Sequence, residues 1–361
     1  MNEKSKIFIV GHNGLASSAL RDKFLSKGYT NLIGHTHSDN ELLDALFVKS
    51  FFDTEKPEYV ILIAANESDV VAGNILFADF LYKNLQIQNN VIWESYRHKV
   101  KKLLFVADSF IYPPSALLPV SEDSLLSSPL DNSSEPYAIA MIAGLKMCES
   151  FNIQYGTNFL AVTPTETYGP NDHFQLGMSH FLPVLIRKIY LAKCLKENNW
   201  SGIMSDLKRR SVDGIMGKSP VDEAVSTLNK YGIYSSYLEL NIPGNTLGDF
   251  IWSEDMADAC FYILKEIDFN TLLEGKDEIR NCHINIGTGQ SYSVRELATM
   301  VAGIIKYDGR IKFKTKASNN LTRSLIDVTK LNSLGWTHKV ELEDGVGRLY
   351  RWYLEDLNLN R

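Results

Sequence analysis

No run of apolar residues in this chain approaches the ~18 to 20 needed to cross a bilayer. The N-terminal Met1-Asn-Glu-Lys-Ser-Lys6 leads straight into a strand-like segment, without the apolar core of a secretion signal. Both absences point to a cytoplasmic protein with no membrane partner. Cysteine is scarce: Cys148, Cys194, Cys260 and Cys282 lie far apart and show neither CxxC nor metal-ligand spacing. No disulfide framework and no metal site is expected, and the four read as reduced thiols that fill the core. Excess positive charge is missing too. With 37 Lys+Arg against 43 Asp+Glu, a net charge of -6 and a pI near 5.8, the chain lacks the basic face that neutralises a phosphate backbone. Nucleic acid is therefore not an expected partner, and Lys208-Arg209-Arg210 reads as a solvated face. There are no internal repeats and no low-complexity tail.

What is present suits a large core: 361 residues, 45% hydrophobic and 22% charged, enough for one large domain or a large domain with a smaller partner. Lys6-Ile-Phe-Ile-Val10 is a short β-branched run ending at Gly11, and Leu15, Leu20, Phe24 and Leu25 then recur at helical spacing up to Gly28. The alternation returns as a strand at 59–64, a helix at 78–96, a strand at 102–106, a helix at 137–155 and a strand at 158–162. Such a rhythm predicts an α/β fold of the Rossmann type, a doubly wound parallel sheet that binds ligands at the carboxyl ends of its strands. A smaller C-terminal α/β substrate lobe is expected over 171–361, after a dinucleotide-binding domain over 1–170 with returning segments near 240–260. Residues 196–238 are polar and contain Asn198, Asn199, Gly214, Gly217 and Pro220, which suggests a surface insertion in that lobe. Beyond it, Ser253–Lys265 looks helical, Cys282–Ile286 looks like a strand, and Ser293-Val-Arg-Glu296 predicts a capping box opening a helix to about Ile305.

Gly11-His-Asn13-Gly14-Leu15-Ala-Ser17 occupies the turn where a dinucleotide-binding fold carries G-x-x-G-x-x-G. Glycines serve there because the backbone turns sharply and approaches a pyrophosphate at the next helix N-terminus. Ser17 replaces the third. After the second strand, His35 and His37 stand where a basic side chain would favour NADP; exposed loop histidines account for them equally well.

The order and spacing of further segments resemble the GDP-L-fucose synthase family from about residue 5 to 354. These include Val10-Gly-His-Asn-Gly-Leu, Lys56-Pro-Glu-Tyr-Val, Ile111-Tyr-Pro, Glu135-Pro-Tyr137-Ala-Ile-Ala, Tyr168-Gly-Pro-Asn171-Asp, Ser179-His180 and Asn285-Ile-Gly-Thr-Gly. The resemblance implies an extended short-chain dehydrogenase, dimeric as a rule. Such enzymes use NADPH to convert GDP-4-keto-6-deoxymannose to GDP-L-fucose by epimerising C3 and C5 and reducing C4. It places cofactor contacts at Gly11, Asn13, Gly14, Leu15, His35, Ala64, Ala65 and Met141, and substrate contacts at Arg187, Asn171 and Arg323.

Ketone reduction needs a proton for the developing alkoxide. The family implies Tyr137 as its source, a lysine four residues on that lowers the Tyr pKa and holds ribose, and a serine on the carbonyl. Here the lysine position is Met141 and the serine position is Asp108, with Ser109 beside it. A thioether carries no charge, and Asp108 could donate only when protonated. Of the acid–base pair implied for epimerisation, the cysteine position is Phe110 while the histidine survives as His180. The family's nucleotide arginine falls at Gly248 and its later lysine at Ser324. These departures predict NADP binding that is weakened or lost.

Three readings follow. One is a GDP-sugar 4-reductase in surface-polysaccharide precursor synthesis, using Tyr137 with Asp108 or Ser109, with or without epimerase activity. Another is a catalytically inactive paralogue, paired as a homodimer or with an active relative. The last is altered chemistry on another nucleotide sugar, with Asp108, Glu67 and Asp69 as new acids or bases.

Overall fold

The computed structural model describes the chain apart from residues 12–13, 35–38, 64–69, 72–73, 76, 178–179, 276–277, 315–324 and 359–361, and apart from the side chains of 39–40, 70–71 and 74–75. In chain order its first half runs β1 (Ile7–Val10), α1 (Leu15–Ser26), β2 (Leu32–Ile33), α2 (Asp39–Leu43), α3 (Ala45–Glu55), β3 (Tyr59–Ile63), β4 (Val70–Val71), β5 (Asn74–Ile75), α4 (Phe77–Arg97), β6 (Lys102–Val106), α5 (Glu135–Tyr155), β7 (Phe159–Pro164) and β8 (Glu166–Tyr168). There follow α6 (Phe181–Lys196), α7 (Trp200–Arg209), α8 (Val221–Lys230), β9 (Tyr237–Leu240), β10 (Leu247–Gly248), β11 (Phe250–Trp252), α9 (Ser253–Glu266), β12 (Ile284–Ile286), β13 (Tyr292–Ser293), α10 (Val294–Ile305), β14 (Arg310–Phe313), α11 (Thr329–Ser333) and α12 (Leu342–Asn358).

These elements form two compact units. One comprises Met1–Thr167, Asp249–Gln290 and Ser324–Lys339; the other comprises Tyr168–Gly248, Ser291–Arg323 and Val340–Arg361. The chain thus re-enters the first unit twice, at 249 and at 324.

The first unit is built on a six-stranded sheet of order β12-β7-β6-β3-β1-β2, parallel throughout. Strand residues alternate faces, so Ile7 and Ile9 join one core with Phe24, Met256 and Ile263, while Phe8 and Val10 join another with Phe52, Val91 and Leu145. Helices α1 and α9 therefore cover one face and α3, α4 and α5 the other. The order reverses between β1 and β3, and the carboxyl ends of those strands are the switch point where such sheets bind ligands. Helix α5 opens with Glu135 and Pro136 in its first turn and closes at Gly156, whose φ of 64° sets the left-handed cap.

In the second unit, α10 begins with the expected capping box: Ser293 and Glu296 satisfy each other's backbone N–H groups. Residues 196–238 hold α7 and α8, which bury Ile203, Asp206 and Leu207, and Ala224 and Leu228, so each helix packs one face into this unit while most of the stretch stays exposed or half-buried. Lys208-Arg209-Arg210 is more than a solvated face: both arginines pair with Asp356 of α12, at 2.8 and 2.5 Å.

Candidate active site

Gly11 and Gly14 bracket the turn that follows β1. Gly11 sits at φ 141°, a region L side chains rarely adopt, and a Cβ there would lie 3.3 Å from Ile63 Cδ1. Gly14 caps α1 without a side-chain hydrogen bond, and a Cβ on it would meet nothing within 4 Å. As N-cap, Gly14 offers no side chain to the first N–H groups of α1, which starts at Leu15, and open space adjoins it. Ser17 is accommodated where a third glycine is usual: its Oγ donates to the Gly14 carbonyl at 3.2 Å. These features fit a pyrophosphate. Asn13, His35, His37, Ala64, Ala65, Glu67, Asp69, Arg323 and Ser324 lie outside the described residues.

Tyr137 stands in the first turn of α5, half-buried, between two aromatic rings. Phe80 lies 5.5 Å away, and Phe110 lies 6.3 Å away and perpendicular. Phe110 is held there by its neighbour: Asp108 caps the short 3-10 turn Ser109–Ile111, and its Oδ1 accepts from the Phe110 N–H at 2.8 Å. Asp108 thus caps this turn through one of its two oxygens. Ser109, half-buried, is the hydroxyl in that turn. One turn beyond Tyr137, Met141 is wholly buried in the core that also contains Phe105, Ile111 and Leu145. Its expected cofactor contact gives way to packing.

Behind this turn a buried polar lattice fixes the carboxyl ends of the strands. The Tyr112 hydroxyl donates to Asn285 Oδ1 at 2.5 Å and lies 2.8 Å from His283 Nε2. Asn285 also receives Thr163 Oγ1 and donates to the carbonyls of Val120 and Asp327. Ile111-Tyr-Pro and Asn285-Ile-Gly-Thr-Gly are accordingly structural corners. Asp249, fully buried, accepts from Thr288 Oγ1 and from the Ile326 N–H, and burial pushes its carboxyl up to about 7.

In the second unit the sequence misplaced one cation. Arg187 has no exposed surface, and its guanidinium is committed internally: to Asp206 at 2.7 to 3.1 Å, to the Phe174 carbonyl at 3.0 Å and to the Arg210 carbonyl at 2.5 Å. It ties α6 to α7, and the expectation of a substrate contact is withdrawn. The next residue, Lys188, was missed. It lies on the half-buried stripe of Phe181 and Val184, has no ion pair or hydrogen bond among the described residues, and burial lowers its amine to about 8. Partial desolvation with no counter-ion among the described residues is the property that sets this amine apart. The i, i+3, i+7 spacing from Phe181 was the available signal.

His180 is the residue before α6, and its Nδ1 lies 2.9 Å from Oδ1 of the buried Asp172. Asp172 was also missed, although it belongs to the quoted Tyr168-Gly-Pro-Asn-Asp segment. Asn171 just before it is exposed and turns the chain at φ 66°. Gly248 is buried in the ladder opposite Tyr292, so no side chain stands in for the family's arginine.

A parallel sheet with a glycine turn at its switch point, and a tyrosine on the helix after β6, define a nucleotide-cofactor α/β protein of the short-chain dehydrogenase type. The NAD dependent epimerase/dehydratase family model matches residues 7–287. The chain belongs to that family and, within it, to the GDP-L-fucose synthase family of extended short-chain dehydrogenases. It is 39% identical to GDP-L-fucose synthase 1 of Arabidopsis thaliana over 358 residues, 99% of this chain and 96% of that one. Among solved structures it is similar to a GDP-6-OMe-4-keto-L-xylo-heptose reductase from C. jejuni, with 40% identity, a TM-score of 0.90 and coverage of 98% and 99%. It is also similar to MlghC, a GDP-mannoheptose C4 reductase from Campylobacter jejuni with NADP bound, with 39% identity, a TM-score of 0.85 and coverage of 98% and 99%.

Proposed function

We propose that this chain binds a GDP-linked 4-keto sugar together with NADP in the cytosol, and reduces the C4 ketone with Tyr137 as proton donor. The observation that carries the reading is the retention of Tyr137 on α5, in a chain similar over nearly its whole length to named GDP-sugar reductases, one of them a C4 reductase. When bound, the nicotinamide supplies the hydride. Gly11, Gly14 and the N–H groups opening α1 hold the pyrophosphate. Phe80 and Phe110 exclude water from the Tyr137 ring, and Lys188 meets a phosphate of the sugar nucleotide. Phe110 takes no proton, so the reaction is a reduction without the paired inversion at C3 and C5. With no ammonium at position 141, turnover is slow and NADP binding weak relative to the family. Exposed Tyr82, Trp93, Ile153 and Tyr155 on α4 and α5 support pairing through these helices, with a second copy or with a relative.

A second reading is favoured by Met141 in the core, where the family has a lysine: a non-catalytic subunit that binds the nucleotide sugar beside an active relative. The deciding experiment is NADPH oxidation by the purified chain with GDP-4-keto-6-deoxymannose and with a GDP-4-keto-heptose. Consumption of NADPH that is lost in Tyr137→Phe supports the reductase. No consumption, with binding of the GDP-sugar retained, supports the non-catalytic subunit.

A further inference from the structure

Asp172 and His180 form a pair that no packing role explains. The Asp172 side chain is fully buried, and Oδ1 accepts twice, from the His173 N–H at 2.6 Å and from His180 Nδ1 at 2.9 Å. Oδ2 is buried as well and has no hydrogen-bond partner among the described residues. A staple for the 168–180 loop would need one acceptor, which an asparagine supplies; a second buried carboxylate oxygen only adds desolvation cost. An ionised oxygen beside an imidazole nitrogen does something else: it requires a proton on that nitrogen.

We infer that Asp172 is the positioning residue of His180, holding the neutral ring as the Nδ1–H tautomer so that His180 exchanges protons through Nε2. The tautomer follows from the pair alone; the exchange rests on the nucleotide-sugar reading given above. In that exchange Nε2 takes the proton from the carbon beside the ketone, the C–H electron pair moves into the enolate, and the imidazolium is held by Asp172. A solvent deuteron replaces the proton on Nε2 and returns to the same carbon, restoring the ketone. Nothing is oxidised or reduced. With a single acid–base group the hydrogen is replaced from one face, and the configuration at that carbon is kept.

The test uses the full chain labelled with ¹⁵N, with the His180 ring signals assigned by their loss in His180→Gln. Long-range ¹H–¹⁵N spectra of the neutral ring should show Nδ1 protonated and Nε2 bare. In Asp172→Ala the ring should move to the Nε2–H form, while Asp172→Asn, which keeps an acceptor, should retain Nδ1–H. In parallel, deuterium uptake from D₂O into GDP-4-keto-6-deoxymannose is followed by mass spectrometry. Asp172→Ala should slow it by roughly 10²- to 10⁴-fold at unchanged affinity for GDP, with Asp172→Asn between the two. An Nε2–H ring in the unmodified protein overturns the assignment, and needs no variant to fold. So does uptake unchanged in Asp172→Ala. Absence of uptake in the unmodified protein, with GDP bound and the tautomer as expected, overturns the proton exchange and leaves the tautomer standing; absence of GDP-sugar binding overturns the nucleotide-sugar reading instead.

Discussion

Replacing Arg187 by methionine separates a ligand contact from an internal strut. The guanidinium holds both oxygens of Asp206, which has no exposed surface and whose other described donor is the Tyr353 hydroxyl at 2.6 Å. Removing one partner of a buried ion pair leaves an uncompensated charge and costs about 3–5 kcal/mol. The carbonyls of Phe174 and Arg210 lose donors as well, which places the total toward the upper end. At roughly 2–4 °C per kcal/mol, thermal unfolding followed by circular dichroism should drop by about 6–20 °C. Arg187→Met combined with Asp206→Leu should recover at least half of that loss, because the stranded charge is gone. Titration calorimetry with GDP on the folded single variant should give an unchanged affinity. A variant that melts within about 2 °C of the original protein but binds GDP tenfold more weakly would refute the reasoning, since the guanidinium would then be reaching ligand.

Met141→Lys should destabilise the fold at neutral pH and regain stability as pH rises toward 10. A lysine buried among Phe105 and Leu145 has its pKa lowered in the folded state, so the unfolded chain binds the extra proton. Unfolding temperatures from pH 7 to 10 check this, and an unchanged melt with tighter NADPH binding would show instead that position 141 faces the cofactor. For Asp249, a rise from 3.8 to about 7 corresponds to about 4 kcal/mol. Because the folded-state value is raised, that contribution is full below pH 4 and is lost as pH climbs through 7; against Asp249→Asn as a non-titrating reference, denaturant midpoints between pH 4 and 8 should show the slope. Lys188→Met should weaken GDP binding by about tenfold and flatten its salt dependence, and equal affinity at low and high salt in both proteins would remove Lys188 from the site.

The alternation of apolar strands and amphipathic helices was enough to read the parallel sheet, because period 2 and period 3.6 are local properties of the chain. So was the Ser293–Glu296 capping box, which spans a single turn. What was not legible depended on phase or on distant partners. Arg187 and Lys188 are adjacent cations, and only the rotation of α6 decides that one faces Asp206 and the other does not. Position 141 follows Tyr137 by one turn, which fixes its face of α5 but not that core residues already fill the space beside it. Residues 196–238 looked like a surface insertion because α7 and α8 are short and much of each is polar. Asp206 and Asp356 gained meaning only from arginines in other helices. The Tyr137 turn shows the same limit: its replacements could be read singly, but not that Asp108 holds the segment carrying Phe110.

The four cysteines, all buried and free, lie in separate parts of the structure: Cys148 in α5, Cys260 in α9 and Cys282 before β12 in the first unit, and Cys194 in α6 in the second. Alkylation needs the thiolate, and burial raises the thiols of Cys148, Cys194 and Cys260, so these residues stay silent toward an alkylating reagent until the segment around them opens. Mass spectrometry of the modified peptides then turns them into three native clocks. Cys194 times the opening of one unit, and Cys148 and Cys260 time the opening of its companion, with no dye or engineered label.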